Sequence, residues 1–72
     1  MNESQQILYM QVRILRMFSE RLKMSFKQTA ELFRKNNVLG FIEKGFGIFH
    51  VESDEAVFEE TKSYLLVKGA VI

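Results

Sequence analysis

The only histidine of the chain, His50, lies in the stretch E-K-G-F-G-I-F-H-V-E-S, residues 43–53. An imidazole can transfer protons or bind a metal ion. Proton transfer would need an acid or a nucleophile nearby, for which Glu52, Ser53 and Asp54 are the local candidates. A structural zinc site normally needs four His or Cys ligands, and the chain has no cysteine. Because the three polar residues are better explained as a helix start, we predict no catalytic or metal-binding residues and a structural His50, hydrogen-bonded at the end of a strand.

The sequence G-F-G at residues 45–47 has part of the spacing of a phosphate-binding loop. A dinucleotide-binding loop also requires a third glycine, a preceding strand and a following helix N-terminus, which this stretch lacks. We therefore expect no cofactor and interpret Gly45 and Gly47 as residues of a tight turn that supply positive φ. Together with Phe49 and His50 they are predicted to form a structural corner.

Three methionines, Met10, Met17 and Met24, recur at seven-residue intervals. Methionine side chains are adaptable, so this flank is a candidate partner surface, which would also include Gln11 and Arg21. The simpler interpretation is that the methionines fill the core. Both interpretations remain open from the sequence alone.

The elements that must position these residues are mostly helical. Hydrophobic periodicity predicts a long amphipathic helix from about Ser4 to Lys23, with Asn2 or Ser4 as its N-cap. Its apolar side consists of Ile7, Leu8, Met10, Ile14, Leu15, Met17, Phe18 and Leu22.

A second helix is predicted to begin at Ser25, because Gln28 follows at the spacing of a capping box. The pair Asn36-Asn37 is a plausible stop, since asparagine tolerates the left-handed conformation. A short helical turn is predicted from Val38 to Glu43.

The segment from Phe46 to Val51 is rich in strand-forming residues and is predicted to be extended. A last helix is predicted to start near Ser53-Asp54 and to end at Gly69. Its buried face is predicted to carry Val57, Phe58, Thr61, Tyr64 and Leu65. The predicted fold is therefore a mainly helical α+β domain that occupies residues 1–72 as a single unit.

Length and composition limit the function classes. A domain of 72 residues with 47% hydrophobic residues and no cysteine lacks disulfides as a source of stability, so we expect a homo-oligomer or a protein partner. The formal net charge of +1, with both signs scattered along the chain, gives no strong attraction to nucleic acid or to a membrane. The amino terminus has no basic segment followed by an apolar run, so a cytoplasmic protein is expected.

Nucleic-acid binding by a degenerate helix-turn-helix is the main alternative. The segment M-S-F-K-Q-T-A-E-L-F followed by F-I-E-K-G superficially resembles the paired helices of repressors. Measured from Ala30, however, Arg34 stands where the turn glycine is usual, and Gly40 stands where a buried aliphatic residue is usual. The absence of a basic recognition helix makes this the second choice.

The chain also resembles a family of short, uncharacterised bacterial proteins known only as a domain of unknown function. The resemblance rests on M-S-F-K-Q-T-A-E-L-F, V-L-G-F-I, I-F-H and E-E-T-K-S-Y-L, and it extends from about Leu8 to Leu66. At Val51 and Glu52 the chain departs from the family pattern, which has a more polar pair there. The resemblance implies that the protein is encoded beside an ADP-ribosyltransferase-like toxin. The resemblance implies an antitoxin, immunity or accessory role for the protein.

These observations favour a non-catalytic interaction module. An enzyme is the least favoured class, because the chain offers no second histidine, no cysteine and little bulk to enclose a pocket.

Overall fold

The computed structural model of the chain describes residues 2–72 and contains four α-helices in that range. They are α1 Glu3–Arg21, α2 Phe26–Lys35, α3 Val38–Phe49 and α4 Asp54–Val67. Helix α1 packs against each of the other three helices, and α3 packs against both α2 and α4. Because residues 2–72 contain no strand, the predicted α+β class is wrong and the domain is all-helical over this range.

The segment predicted to be extended, residues 46–51, forms the end of α3 and the turn that follows it. The buried side of α3 has spacings of four, four and three residues, and consists of Val38, Ile42, Phe46 and Phe49. This is helical periodicity, and burial of all four side chains outweighs the weak strand preference of Ile48 and Val51. Those two residues are exposed. The predicted helical turn from Val38 to Glu43 is therefore the first half of a longer helix.

Three helices begin with side-chain caps. Ser25 Oγ accepts a hydrogen bond from the backbone N–H of Gln28 at 3.0 Å, and the Ser25 N–H donates to Gln28 Oε1 at 2.9 Å. Asn2 and Gln5 form the same reciprocal capping box at the start of α1. Ser53 caps α4 by accepting a backbone N–H bond. The predicted starts of α2 and α4 are thus confirmed, and so is Asn2 as the first N-cap.

Left-handed residues follow three helices. Their φ angles are 54° at Lys23, 52° at Asn37 and 86° at Gly69. After α4 the Ala70 N–H bonds the Leu65 carbonyl at 3.0 Å, which is the longer hydrogen bond of a Schellman motif. The stops predicted at Asn36-Asn37 and at Gly69 are confirmed, whereas α1 ends two residues before its predicted end at Lys23.

Phe18 of α1 lies at the centre of the core and has no solvent exposure. Its ring centroid is 5.5 Å from that of Phe33 in α2 and 4.4 Å from that of Phe58 in α4. The Phe18 side chain therefore contacts both α2 and α4. These two helices do not pack against each other along their length. The remaining core side chains are Met10, Ile14, Val38, Ile42, Phe46, Phe49, Val57 and Leu65.

Tyr64 fixes the second half of α4 against the neighbouring helices. Its ring stacks on Phe41 of α3, with centroids 4.2 Å apart. Its hydroxyl donates a hydrogen bond of 2.6 Å to the carbonyl oxygen of Asn36, the residue that caps the end of α2. This contact brings the end of α4, and the residues that follow it, close to the end of α2.

Candidate functional site

The structural corner predicted from Gly45 and Gly47 is part of helix α3. Of the glycines in residues 2–72, only Gly69 has positive φ, so the interpretation of Gly45 and Gly47 as turn glycines is wrong. Gly45 instead allows a close approach: a Cβ atom at this position would lie 2.4 Å from Cε2 of Phe49. A Cβ atom at Gly47 would meet nothing within 4 Å.

His50 caps the C-terminal end of α3 and is exposed. Its Nδ1 lies 2.9 Å from the carbonyl oxygen of Phe46, and its ring stacks on the Phe46 ring with centroids 5.4 Å apart. A carbonyl oxygen only accepts hydrogen bonds, so Nδ1 carries the proton and Nε2 is the nitrogen left for an external contact. The hydrogen bond predicted for His50 is therefore made to the helix that precedes it, since no strand is present there.

A pocket of about 190 Å³ lies beside this imidazole. It is lined by Gln6, Tyr9, Met10, Arg13, Phe46 and His50. Arg13 Nε donates a 3.0 Å hydrogen bond to Asp54, which offsets the charge of the guanidinium. The imidazole is hydrogen-bonded to a backbone carbonyl and not to a carboxylate or a hydroxyl. The site therefore does not place a nucleophile next to a general base. Residues 2–72 also contain no group of three acidic or histidine side chains placed to hold a metal ion.

The predicted partner surface on α1 is divided by the fold. Met10 is only 4% exposed and belongs to the core, while Met17 is half-buried and packs against it. Gln11 donates a 3.0 Å hydrogen bond from Nε2 to the carbonyl oxygen of Leu39. The interpretation of Met10 as a surface residue is therefore wrong, and Gln11 contacts α3.

Arg21 joins α1 to α4. Its two terminal nitrogens bond the two carboxylate oxygens of Glu55, each at 2.7 Å, and its guanidinium lies 4.6 Å from the ring centroid of Phe58. The hydrogen bonds to Glu55 raise the pKa of Arg21 and, in turn, lower the pKa of Glu55. Arg21 thus makes a contact within the domain.

We predict that Glu55→Gln lowers the thermal midpoint at pH 7 and not in acid. A carboxyl group whose pKa is lowered on folding stabilises the protein above its unfolded pKa, and this contribution is lost as the pH falls through the folded pKa. The advantage of the parent should therefore shrink as the pH falls below the ordinary glutamate value of about 4.5, and it should be gone below the lowered pKa of Glu55. Melting curves of the parent and of Glu55→Gln, recorded at pH 7 and in acid, measure this difference in thermal midpoint. A deficit that persists in acid would mean that Glu55 acts by packing instead of by charge.

A concave surface lies along α2. Two cavities, of about 480 Å³ and about 400 Å³, adjoin each other because both are lined by Leu32 and Lys35. The first is completed by Met24, Lys27, Gln28 and Glu31, and the second by Asn36, Lys68, Gly69, Ala70 and Val71. We call the two cavities together the α2 groove. Of the predicted partner surface, Met24 lies in this groove.

The α2 groove combines apolar and cationic groups. Met24, Leu32 and Ala70 are partly buried and supply its apolar part. Three lysines supply the positive charge, namely Lys27, Lys35 and Lys68. Such a surface can bind an apolar side chain and, at its rim, a negative charge.

Glu31 is the only acidic residue that lines the groove, within the described range. It is hydrogen-bonded to Arg34 one turn further along α2, and this bond lowers the pKa of Glu31. The Glu31 carboxylate is therefore ionised and already has a cationic partner.

The sequence contained part of the signal for this groove. Gln28, Leu32 and Lys35 are spaced by four and three residues, so a helix places them on one flank. Lys68 and Ala70 join them only because α4 ends beside α2, a tertiary contact that periodicity does not reveal.

The comparison with known families decides which family contains the chain. A family model described as "Protein of unknown function (DUF3791)" matches residues 9–67. The chain belongs to this family. The DUF3791 match includes α2, α3, α4 and most of α1, and it confirms the predicted resemblance to a family of unknown function. No curated protein and no solved structure matches the chain.

The same match contains most of the α2 groove, from Met24 to Asn36, whereas Lys68, Ala70 and Val71 lie just beyond its end. Among residues 2–72 of this DUF3791 protein, no helix is long and apolar enough to cross a membrane.

Proposed function

We propose that this DUF3791 domain is a non-catalytic protein-interaction module that binds a partner protein in the α2 groove. The observation that carries the proposal is the groove itself, with apolar side chains between charged ones. Protein interfaces have this anatomy, an apolar centre within a polar rim. Concave apolar surfaces with polar edges are also uncommon on proteins that have no partner.

The corner at His50 supports a binding role over catalysis. The pocket there is small, and its imidazole is fixed by the Phe46 carbonyl without an acidic partner. A general base is normally oriented by such a partner and placed within reach of a nucleophile. We therefore assign no catalytic step to this site.

Nucleic-acid binding remains the second candidate, because α2, the turn at Asn36-Asn37 and α3 form two consecutive helices with a short connection. A recognition helix presents polar and basic side chains to the bases and phosphates. The exposed side of α3 carries Leu39, Glu43, Lys44, Gly47 and Ile48, a mostly apolar set with one base and one acid. This composition favours a protein partner.

The partner we propose is the product of the adjacent gene in a bacterium, as the family resemblance implies. In that setting the domain would act in the cytoplasm as an antitoxin, an immunity protein or an accessory protein for an ADP-ribosyltransferase-like toxin. A second copy of the chain is the alternative occupant, since a domain of 72 residues gains stability from association.

The test is to co-express the chain with the product of the adjacent gene and to measure the mass of the purified complex by light scattering. Met24→Glu places a charge at the apolar end of the groove and is expected to abolish the complex. Ile48→Glu, at a residue that is 70% exposed on α3, is the matched control and should leave the complex intact. Melting curves of both variants confirm that they fold.

Two results would overturn the proposal. The first is a complex that survives Met24→Glu while Ile48→Glu disrupts it, which would move the interface to α3. The second is a homodimer of the chain alone that Met24→Glu dissociates, with no binding of the adjacent gene product. In that case the groove would be occupied by a second copy.

A further inference from the structure

We propose that the occupant of the α2 groove is an acidic amphipathic helix of the partner protein. This inference rests on the interaction function proposed above and specifies the chemistry of the partner. It is carried by the placement of charge around an apolar groove, by the absence of a strand edge in the described residues, and by the length of α2.

The charge around the groove is one-sided. Lys27 lines the cavity at one end, Lys68 the cavity at the other, and Lys35 lines both. The only acidic residue of the described lining, Glu31, is hydrogen-bonded to Arg34. A ligand with carboxylates at its edges therefore meets cations along the whole groove, and such complementarity fixes the choice and orientation of a partner.

This excess of positive charge is local. The whole chain has a formal net charge of only +1. Elsewhere the guanidinium of Arg13 is paired with Asp54, and that of Arg21 with Glu55. Within the described range no ion pair involves Lys27, Lys35 or Lys68, and Lys68 only lies over the ring of Tyr64, 5.6 Å from its centroid. The described residues therefore offer these lysines no carboxylate within ion-pair distance, and Glu31, which interacts with Lys35 at longer range, is bonded to Arg34.

The backbone of the fold favours a helix over an extended peptide. An extended peptide binds best by adding a strand to a sheet edge, which satisfies its N–H and C=O groups. Residues 2–72 contain only helices, so no such edge is present in them. A helical ligand satisfies its own backbone and presents only side chains to the groove.

The dimensions of the groove also suit a helix. The ten residues of α2 extend over about 15 Å, because an α-helix rises about 1.5 Å per residue. Apolar side chains at positions i, i+3 or i+4, and i+7 of a ligand helix span about 10 Å, which fits within this length. They would pack on Met24 and Leu32 and on the aliphatic stems of the lysines, whose ammonium groups stay at the water surface.

Synthetic peptides test this inference directly. The probe is a fluorescein-labelled helical peptide with a stripe of leucines flanked by glutamates. Two controls are matched to it: one has the same composition with the leucines scattered around the helix, and the other has lysine in place of every glutamate. Fluorescence anisotropy should show that the acidic amphipathic peptide binds at least about tenfold more tightly than either control. Amide chemical shifts should change along α2 and at residues 68–71.

Charge reversal supplies the second arm of the test. The double variant Lys27→Glu/Lys35→Glu is expected to lose at least about tenfold in affinity for the acidic peptide and to gain affinity for the lysine peptide. Arg16→Glu/Lys44→Glu makes the same change in net charge at exposed positions outside the groove and should have little effect. Equal losses in the two double variants would show that only the overall charge matters and would overturn the inference.

Other outcomes separate this inference from the proposed function. If Met24→Glu abolishes the complex with the adjacent gene product, yet the acidic peptide binds no better than its controls, the interaction surface stands and the acidic helix is wrong. Binding of duplex oligonucleotides or of anionic lipid vesicles that Lys27→Glu/Lys35→Glu abolishes would likewise overturn it, in favour of a phosphate ligand. If the acidic peptide binds as expected but Met24→Glu leaves the complex with the adjacent gene product intact, the α2 groove does bind an acidic helix. The adjacent gene product is then not the protein that supplies this helix.

Discussion

Phe18→Ala is expected to lower the free energy of unfolding by about 3–5 kcal/mol, the largest effect of any substitution proposed for this chain. Phe18 has no solvent exposure, and its ring contacts Phe33 on one side and Phe58 on the other. Alanine would leave a cavity between α1, α2 and α4, because the Phe18 ring is what contacts Phe33 of α2 and Phe58 of α4 at this point. A domain of this length has a total stability of roughly 4–11 kcal/mol, so the variant should lose a large part of it.

Phe26→Ala is the matched control, since it removes the same atoms from a residue of α2 that is 60% exposed. It is expected to change stability by less than about 1 kcal/mol. Urea denaturation followed by circular dichroism gives both values. Similar losses in the two variants would mean that the centre of the core does not lie at Phe18.

Most of the helix boundaries could be predicted because they depend on local chemistry. Ser25 and Gln28 satisfy each other's backbone groups within one turn, and Asn37 and Gly69 adopt the left-handed conformation at their helix ends. Such interactions involve residues three to five positions apart, so the sequence contains all their partners.

The end of α3 was predicted wrongly because its local preferences disagree with its packing. Ile48 and Val51 favour strands, and two glycines disfavour a helix. The residues that decide the outcome are Phe46 and Phe49, whose burial requires one helical face to continue from Val38. Phe46 and Phe49 lie in the core because α3 packs against α1 and α4. Local propensity contains no information about such packing.

The candidate site was predictable only in part. Met24 is predicted to be part of a partner surface and lines the α2 groove, whereas Met10, one of the methionines at the same seven-residue spacing, lies in the core, where the neighbouring Gln11 bonds to Leu39 of α3. Arg21 is predicted to belong to the partner surface, yet it forms an ion pair with Glu55 of the same chain. Helical periodicity shows which side of a helix a residue faces, but not which neighbouring element covers that side. Whether a polar side chain is available to a partner therefore depends on such tertiary contacts.

Two of the glycines of α3, Gly45 and Gly47, should respond to substitution by alanine with opposite changes in stability. Both have helical backbones, so alanine at either position gains about 0.5–1 kcal/mol from its higher helix propensity. At Gly47 this gain is unopposed, because an added Cβ meets nothing within 4 Å. Gly47→Ala is therefore expected to raise the free energy of unfolding, whereas a turn glycine with positive φ would have predicted a loss.

At Gly45 the same methyl group collides with the core. The added Cβ would lie 2.4 Å from Cε2 and 2.7 Å from Cζ of Phe49, whose ring is buried and lies 5.5 Å, centroid to centroid, from that of Phe41. The Phe49 ring cannot move away without disturbing that contact, and overpacking of this kind costs typically about 1–3 kcal/mol. Gly45→Ala should thus be destabilising by about 1–2 kcal/mol after the gain in helix propensity. Urea denaturation of both variants tests the two predictions. A gain in stability at Gly45 would show that α3 does not pack Phe49 against Gly45, and a loss at Gly47 would show that Gly47 is not an open helical position.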